Sequence, residues 1–313
     1  MSVIFNLLNK IKDIFFSRSS RKKNIFTIIA ILTTAAILGW LLYSNKDVLT
    51  SYTWKLNFKF LFISFLVYSL ILLLTVYVWA NIMEKLGKNI PFPRHFKSFC
   101  ISALGKRLPG TVWYIAWRAE MYKDDYSIKL VTIASGIEMA VTIIAAIIVC
   151  VFFSLSIITQ YQWSIWAILF LLILSMVVLH PKFVNWLFSK IKIEIKTIAY
   201  RNILVWVALY AIIWIFVGTL LFTISNIITP GDIMQLPYYI GITALTGVLS
   251  RLLFFSPTNF GFNEVSLSLL LSNVIPSSLA VIVAVSNRLI IMTFEILWAV
   301  FSLLVERNSK INK

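Results

Sequence analysis

The sequence predicts an all-α integral membrane protein with about six full spans and two re-entrant broken hairpins in an inverted repeat. Two observations predict this fold class. First, the 313 residues are 60% hydrophobic and 13% charged, with a mean hydropathy of +0.91, whereas soluble domains are about 45–50% apolar and about one quarter charged. Second, several apolar runs reach the roughly 20 residues that a spanning helix needs, and two regions between them carry prolines and buried charges at matching places.

The chain begins with a basic amphipathic segment, residues 1–24. Its apolar residues between Val3 and Phe15 recur at three- and four-residue spacing, and its lysines fall elsewhere on the helical wheel. This pattern is typical of a helix lying on the membrane surface, and a mobile tail is the alternative. Residues 25–313 are predicted to form a single polytopic membrane domain. No small-residue cleavage site follows the first apolar run, which indicates a retained span and not a signal peptide.

Six apolar runs are predicted as full spans, and two broken segments interrupt their series. Each broken segment has about 38 residues with a proline near its middle. A re-entrant pair of half-helices fits each segment, and two tilted spans remain the alternative for each. The repeat halves are then 60–153 and 202–304. The spans are 25–43, 60–80, 130–153, 163–180, 202–228 and 278–304, and the broken segments are 91–128 and 238–276.

Lysine and arginine concentrate in the loops on one side of this arrangement. The bias predicts that both termini lie in the cytoplasm, so the two hairpins enter from opposite sides and meet near the midplane. The net charge of +16 follows from the same loops, which favours anionic lipid headgroups over nucleic acid as partners. Segments 1–24, 81–97, 181–201 and 305–313 hold six, four, five and three Lys or Arg, whereas 44–59 holds three and 154–162, 229–237 and 272–277 hold none.

Six charged residues lie outside the loops, three of each sign. A charge at the centre of a membrane helix costs about 2.5–3.5 kcal/mol on insertion scales. Mutual pairing is therefore expected, because an unpaired buried ion is strongly destabilising. Such pairs either lock the hairpins to the spans or form part of a functional site, and both readings stay open. The six residues are Arg118, Glu138, Arg251, Glu264, Arg288 and Glu295.

The first hairpin tip has the chemistry of an anion site. Pro109 lacks an amide hydrogen, and Gly110 allows close approach of the backbone. A half-helix that starts after Gly110 would aim its free amides at the tip, and Lys106, Arg107 and Arg118 would add side chains suited to phosphate. We therefore expect these five residues to bind a lipid headgroup. A shallow tip with Lys106 and Arg107 reaching the membrane surface is the alternative.

The second hairpin tip is less basic. It carries Pro257 and Gly261, followed by Glu264. With Glu138 and Arg288, these residues are predicted to form the ion-paired side of the site and to gate it. A carboxylate that releases its cationic partner on protonation would couple lipid movement to protons.

The order of these motifs resembles the transmembrane family of lysylphosphatidylglycerol synthases, also called flippase-like membrane proteins. The resemblance lies in the run from Ser102 to Tyr114 with Arg118 after it, the region of Glu138, and the later Gly261-Phe-Asn-Glu264 with Arg288. It covers most of residues 20–305. The sequence departs from the family pattern at its second turn, where residues 257–261 replace a glycine-rich stretch.

The resemblance implies translocation or binding of an anionic or polyprenyl-phosphate-type lipid in the cell (inner) membrane of a prokaryote. Family members that synthesise lysyl-lipid carry a soluble transferase domain after the membrane part. This chain ends at Lys313, so we expect no lipid synthesis. A membrane subunit that docks a glycosyltransferase or lipid synthase, without transport of its own, is the alternative function.

An intramembrane enzyme is disfavoured by the sequence. No Ser/His pair, His/Asp cluster or Gly-x-Ser-x-Gly motif is present, and neither histidine belongs to the set of buried charges. The two cysteines lie in apolar runs with no metal-ligand spacing. We therefore expect no catalytic residue, no metal and no cofactor, and the sequence leaves the oligomeric state open.

Overall fold

The computed structural model describes residues 43, 46, 50, 56–104, 112–154, 198–252 and 259–311. Within these residues the regular structure is entirely helical, and eight α-helices have defined bounds. A short 3-10 turn, Ile233–Gln235, precedes the sixth helix. The helices are α1 Phe58–Leu86, α2 Phe92–Leu104, α3 Val112–Met121, α4 Ile128–Phe153, α5 Tyr200–Ile228, α6 Leu236–Leu252, α7 Asn259–Leu271 and α8 Ser277–Ile311.

Four of the predicted spans coincide with long apolar helices. Runs 60–80, 130–153, 202–228 and 278–304 fall in α1, α4, α5 and α8, and each of these helices is long and apolar enough to cross a membrane. The stretch Ile233–Arg251 is also long and apolar enough to cross a membrane, although most of it belongs to a segment predicted as a hairpin. The predicted spans 25–43 and 163–180 and the amphipathic segment 1–24 lie outside the described residues.

Each broken segment contains two consecutive helices. Segment 91–128 holds α2 and α3, which have 13 and 10 residues and are therefore about 20 and 15 Å long. Segment 238–276 holds most of α6 and all of α7, which have 17 and 13 residues and are about 26 and 20 Å long. A hydrocarbon core is about 30 Å thick, so the described part of each of α2, α3 and α7 is shorter than that thickness.

Local signals in the sequence determine where several helices begin and end. The side chain of Asn57 accepts a hydrogen bond from the amide of Lys59 and caps the start of α1. Ser127 caps α4 in the same way by accepting from the amide of Leu130. Both residue types are favoured at this position because their oxygens satisfy amides that have no partner inside the helix. At its other end α1 stops at Gly87.

Helix contacts follow a two-fold pattern. Let α1–α4 be the first half and α5–α8 the second half. The counterparts are α1 and α5, α2 and α6, α3 and α7, and α4 and α8. Whenever two helices pack on each other, their two counterparts pack on each other as well. For example, α4 packs on α6, and α2 packs on α8. The helices α1 and α5 pack on each other and form the centre of the pattern.

The two central helices run antiparallel. The amide of Asn57, next to the start of α1, donates to the carbonyl oxygen of Ile227 near the end of α5. At the opposite end, the indole nitrogen of Trp206 donates to Asn81 over 2.7 Å. The first helices of the two halves therefore point in opposite directions.

The outer ends of each short helix pair are tied together. In the first half, Arg94 at the start of α2 forms an ion pair with Asp125, just after α3. The Tyr126 hydroxyl donates to the carbonyl oxygen of Lys88, and burial raises the pKa of Tyr126 to about 12, so this phenol keeps its proton at neutral pH. In the second half, the Tyr238 hydroxyl donates to the carbonyl oxygen of Leu270. In each pair, the start of the first helix therefore lies next to the end of the second helix.

The helices α5 and α6 approach closely because of a glycine. A Cβ atom at Gly218 would lie 2.3 Å from the Cα atom of Ile240, a distance at which the backbones would have to separate. The absence of a side chain at Gly218 therefore permits this packing.

Large apolar side chains cover the outer surface of the helices. Leu66, Leu73 and Tyr77 of α1 and Leu289 and Phe301 of α8 are exposed. A soluble protein rarely exposes such continuous apolar surface, so this distribution is that of a protein whose outside contacts lipid.

Candidate functional site

A cavity of about 560 Å³ lies between the two halves and is lined by seven of the eight helices. Its volume is within the usual range for small-molecule sites, about 300–1,000 Å³. The ends of the short helices that lead into the two predicted tips contribute to one wall, with Tyr114 of α3, Arg251 of α6 and Asn263 of α7. The charged residues that line the cavity in the described part of the chain are Glu138, Arg251, Glu264 and Arg288.

Glu138 is the centre of a buried hydrogen-bond network. One carboxylate oxygen accepts from the Tyr114 hydroxyl at 2.7 Å and from Nη1 of Arg118 at 2.5 Å. The other accepts from the Tyr210 hydroxyl at 2.9 Å. Tyr114 and Arg118 are four residues apart in α3 and so lie on one face of that helix. Three donors from α3 and α5 therefore hold this carboxylate on α4.

Arg118 lies behind Glu138 in an aromatic box. Its side chain is fully buried, and the guanidinium carbon lies 3.9, 4.6 and 4.3 Å from the ring centroids of Trp79, Phe99 and Tyr114. Such contacts stabilise a cation through the negative faces of the rings. Among the described residues, Nε and Nη2 have no hydrogen-bond partner. Arg118 does not belong to the described lining of the cavity.

The second half contributes an ion pair between Arg288 of α8 and Glu264 of α7. Both residues line the cavity. The side chains of Arg288 and Glu264 are 14% and 4% exposed, so the arginine of this pair is accessible from the cavity, in contrast to Arg118. The chain order of the charges is also reversed, since arginine precedes glutamate in the first half and follows it in the second.

Arg251 is a fifth charged residue at the site. Its Nη1 donates to the carbonyl oxygen of Gly247 at 3.0 Å, and its guanidinium carbon lies 4.9 Å from the ring centroid of Trp214. Trp214 is fixed in turn by donating to the carbonyl oxygen of Thr142 at 3.0 Å. Arg251 is therefore held by α5 and α6 beside the network of Glu138.

The structure brings together some of the residues that the sequence singled out. Glu138, Glu264 and Arg288 line one cavity, and Arg118 adjoins it through Glu138. Gly261 lies in the first turn of α7, and Glu295 is buried on α8. The remaining predicted site residues, Lys106, Arg107, Pro109, Gly110 and Pro257, lie outside the described residues.

Three parts of the site were absent from the sequence prediction. The sequence does not connect Tyr114 or Tyr210 to Glu138, and it shows Arg251 as a charge in an apolar run without assigning it a role. Tyrosines are common in membrane helices, particularly near the interfaces, and nothing in the spacing of these two connects them to a residue on another helix. In the sequence, Arg251 is distinguished as a candidate site residue by its charge within an apolar run.

Comparison with known proteins agrees with this all-helical membrane fold. No curated protein matches the chain at a significant level. A protein-family profile described as the lysylphosphatidylglycerol synthase TM region matches residues 27–299, which includes every charged residue of the site. The family resemblance deduced from the motif order is thereby confirmed. The chain is an integral membrane protein and belongs to the lysylphosphatidylglycerol synthase transmembrane-region family.

Proposed function

We propose that this protein is a flippase-like transporter or binder of an anionic or phosphate-bearing lipid. The observation that carries the proposal is a cavity that both halves line, which combines the volume of a small-molecule site with carboxylates and arginines. Ionisable residues inside membrane proteins are costly and commonly mark substrate pathways. An apolar surround with a few convergent polar groups suits a lipid headgroup.

The proposed topology is an inverted repeat of span, re-entrant hairpin and span in each half. The two-fold pattern of helix contacts and the antiparallel packing of α1 on α5 support it. The described lengths of α2, α3 and α7, which are shorter than a hydrocarbon core, are consistent with it. The Lys/Arg bias of the loops favours cytoplasmic termini, and the cell (inner) membrane of a prokaryote is the proposed location. In transporters with inverted repeats, substrate sites lie at the interface between the repeats.

The residues of the site have different roles in this proposal. Lys106, Arg107, Pro109 and Gly110 precede α3, whose Tyr114 lines the cavity, and they would attract and position the headgroup. Arg118 acts by holding Glu138.

The Glu264–Arg288 pair lines the cavity and would open or close as a headgroup passes. No catalytic step is assigned to any residue.

Translocation in proteoliposomes tests the proposal. Vesicles of phosphatidylcholine with a trace of fluorescent phosphatidylglycerol are reconstituted with the full chain, and the outer-leaflet label is quenched with dithionite. We expect a larger quenched fraction than in protein-free vesicles, and specific binding of phosphatidylglycerol in detergent by native mass spectrometry. If neither movement nor binding occurs, the proposal is wrong. Co-purification of a glycosyltransferase or synthase in that case would favour a docking subunit.

A further inference from the structure

Among the described residues that line or adjoin the cavity, the charges do not sum to zero, since Glu295 of the six buried charges does not line it. Glu138 is matched by Arg118, and Glu264 is matched by Arg288. Arg251 is a further cation at the cavity, and no carboxylate of the described chain forms an ion pair with it. The C-terminal end of α6 carries about half a negative charge, which offsets only part of the charge of Arg251. The described part of the cavity therefore has an excess of positive charge.

The guanidinium of Arg251 is positioned at the cavity wall by two contacts. One N–H group is bonded to the carbonyl oxygen of Gly247, whereas a guanidinium has five. The ring of Trp214 flanks the same group. A Cβ atom at Gly247 would lie 2.1 Å from the Trp214 ring, so this glycine is what admits the ring. A donor group fixed in advance loses little conformational freedom on binding.

Arg118 and Arg288 are less suited to receive an anion. Arg118 lies in its aromatic box, outside the described lining of the cavity, and Arg288 is already paired with Glu264. Arg251 lines the cavity beside Ser250 and Asn263. The Ser250 hydroxyl donates to the side-chain oxygen of Asn263 at 3.3 Å, and the NH2 group of Asn263 is a donor type that suits phosphate oxygens.

We propose that Arg251 is the residue that selects an anion in this cavity, and that its ligand is the phosphodiester of a lipid headgroup whose net charge is −1. This inference rests on the proposed lipid function and names the residue and the charge class behind it. One negative charge would neutralise the excess of the described site. A planar guanidinium with several remaining donors suits phosphate oxygens. Phosphatidylcholine presents the same phosphate, but its quaternary ammonium brings a positive charge into the cavity and leaves the excess uncancelled.

Binding of phosphatidylglycerol and phosphatidylcholine to the full chain, measured by native mass spectrometry, tests the inference. Arg251→Gln should weaken phosphatidylglycerol binding by about tenfold to a hundredfold and leave phosphatidylcholine binding unchanged. Arg251→Lys keeps the charge without the planar fork and should weaken phosphatidylglycerol binding less. Arg201→Gln removes an exposed arginine at the start of α5 and serves as the matched control, with wild-type binding. Thermal unfolding of each variant reports on folding.

The outcomes separate this inference from the proposed function. If wild type binds neither lipid, both are overturned. If wild type prefers phosphatidylglycerol and folded Arg251→Gln keeps that preference, only the assignment of Arg251 is overturned. Should Arg251→Gln fail to fold, unchanged phosphatidylglycerol affinity in Arg251→Lys overturns it instead. If inorganic phosphate competes with phosphatidylglycerol for wild type, the anionic group alone suffices for binding. If it does not compete, recognition requires the phosphate of a lipid.

Discussion

The two halves of the protein use the same pair of ions in different settings. In the first half, Arg118 is enclosed by three aromatic rings and reaches only Glu138 among the carboxylates of the described chain. In the second half, Glu264 and Arg288 both line the cavity. A cation sealed from water depends on its partner, whereas a cation beside a polar cavity can be solvated when the partner leaves. The first pair is therefore suited to holding the structure, and the second to changing during a transport cycle.

The largest difference between the halves should appear when the carboxylates are neutralised. Glu138→Gln leaves Arg118 charged and out of reach of the cavity, so we expect a loss of about 3–5 kcal/mol in the free energy of unfolding. Unfolding by SDS in mixed micelles, followed by tryptophan fluorescence, measures it. A stability equal to that of wild type would mean that Arg118 reaches water or another anion.

Removing both charges of the first pair should restore part of that loss. In Arg118→Met with Glu138→Gln no ion is stranded, and apolar replacement of a buried pair is often neutral. We expect the double variant to regain about 2–3 kcal/mol relative to Glu138→Gln alone. The same unfolding assay decides it. Additive losses from the two substitutions would show that the pair is not coupled and would remove the contrast with the second half.

The smallest effect is expected at the second pair. Glu264→Gln leaves Arg288 at a cavity that admits water, so the loss should be about 1–2 kcal/mol, close to that of one charged hydrogen bond. The rate of phosphatidylglycerol movement in proteoliposomes should change markedly even though the free energy of unfolding changes little, because this pair borders the proposed path. A loss as large as that of Glu138→Gln would show that the two pairs are equivalent supports.

Several features of the fold were predictable because they depend on local sequence. Long apolar runs fix the positions of α1, α4, α5 and α8, since a spanning helix needs about 20 apolar residues. The helix pairs α2–α3 and α6–α7 flank Pro109 and Pro257 in the chain, and both prolines lie outside the described residues. The first broken segment forms two short helices, but the second includes α6, which is long and apolar enough to meet the criterion for a span.

The sequence by itself determined that the protein is an all-helical membrane protein, which family it belongs to, and which charged residues lie within its apolar runs. Only the tertiary structure decided which arginine meets which glutamate, that Arg118 lies in an aromatic box, and that Arg251 lines the cavity. The physical reason is distance along the chain. Tyr210 and Glu138 are 72 residues apart, and the periodicity of one helix reports which face is apolar but not which residues of another helix pack against it.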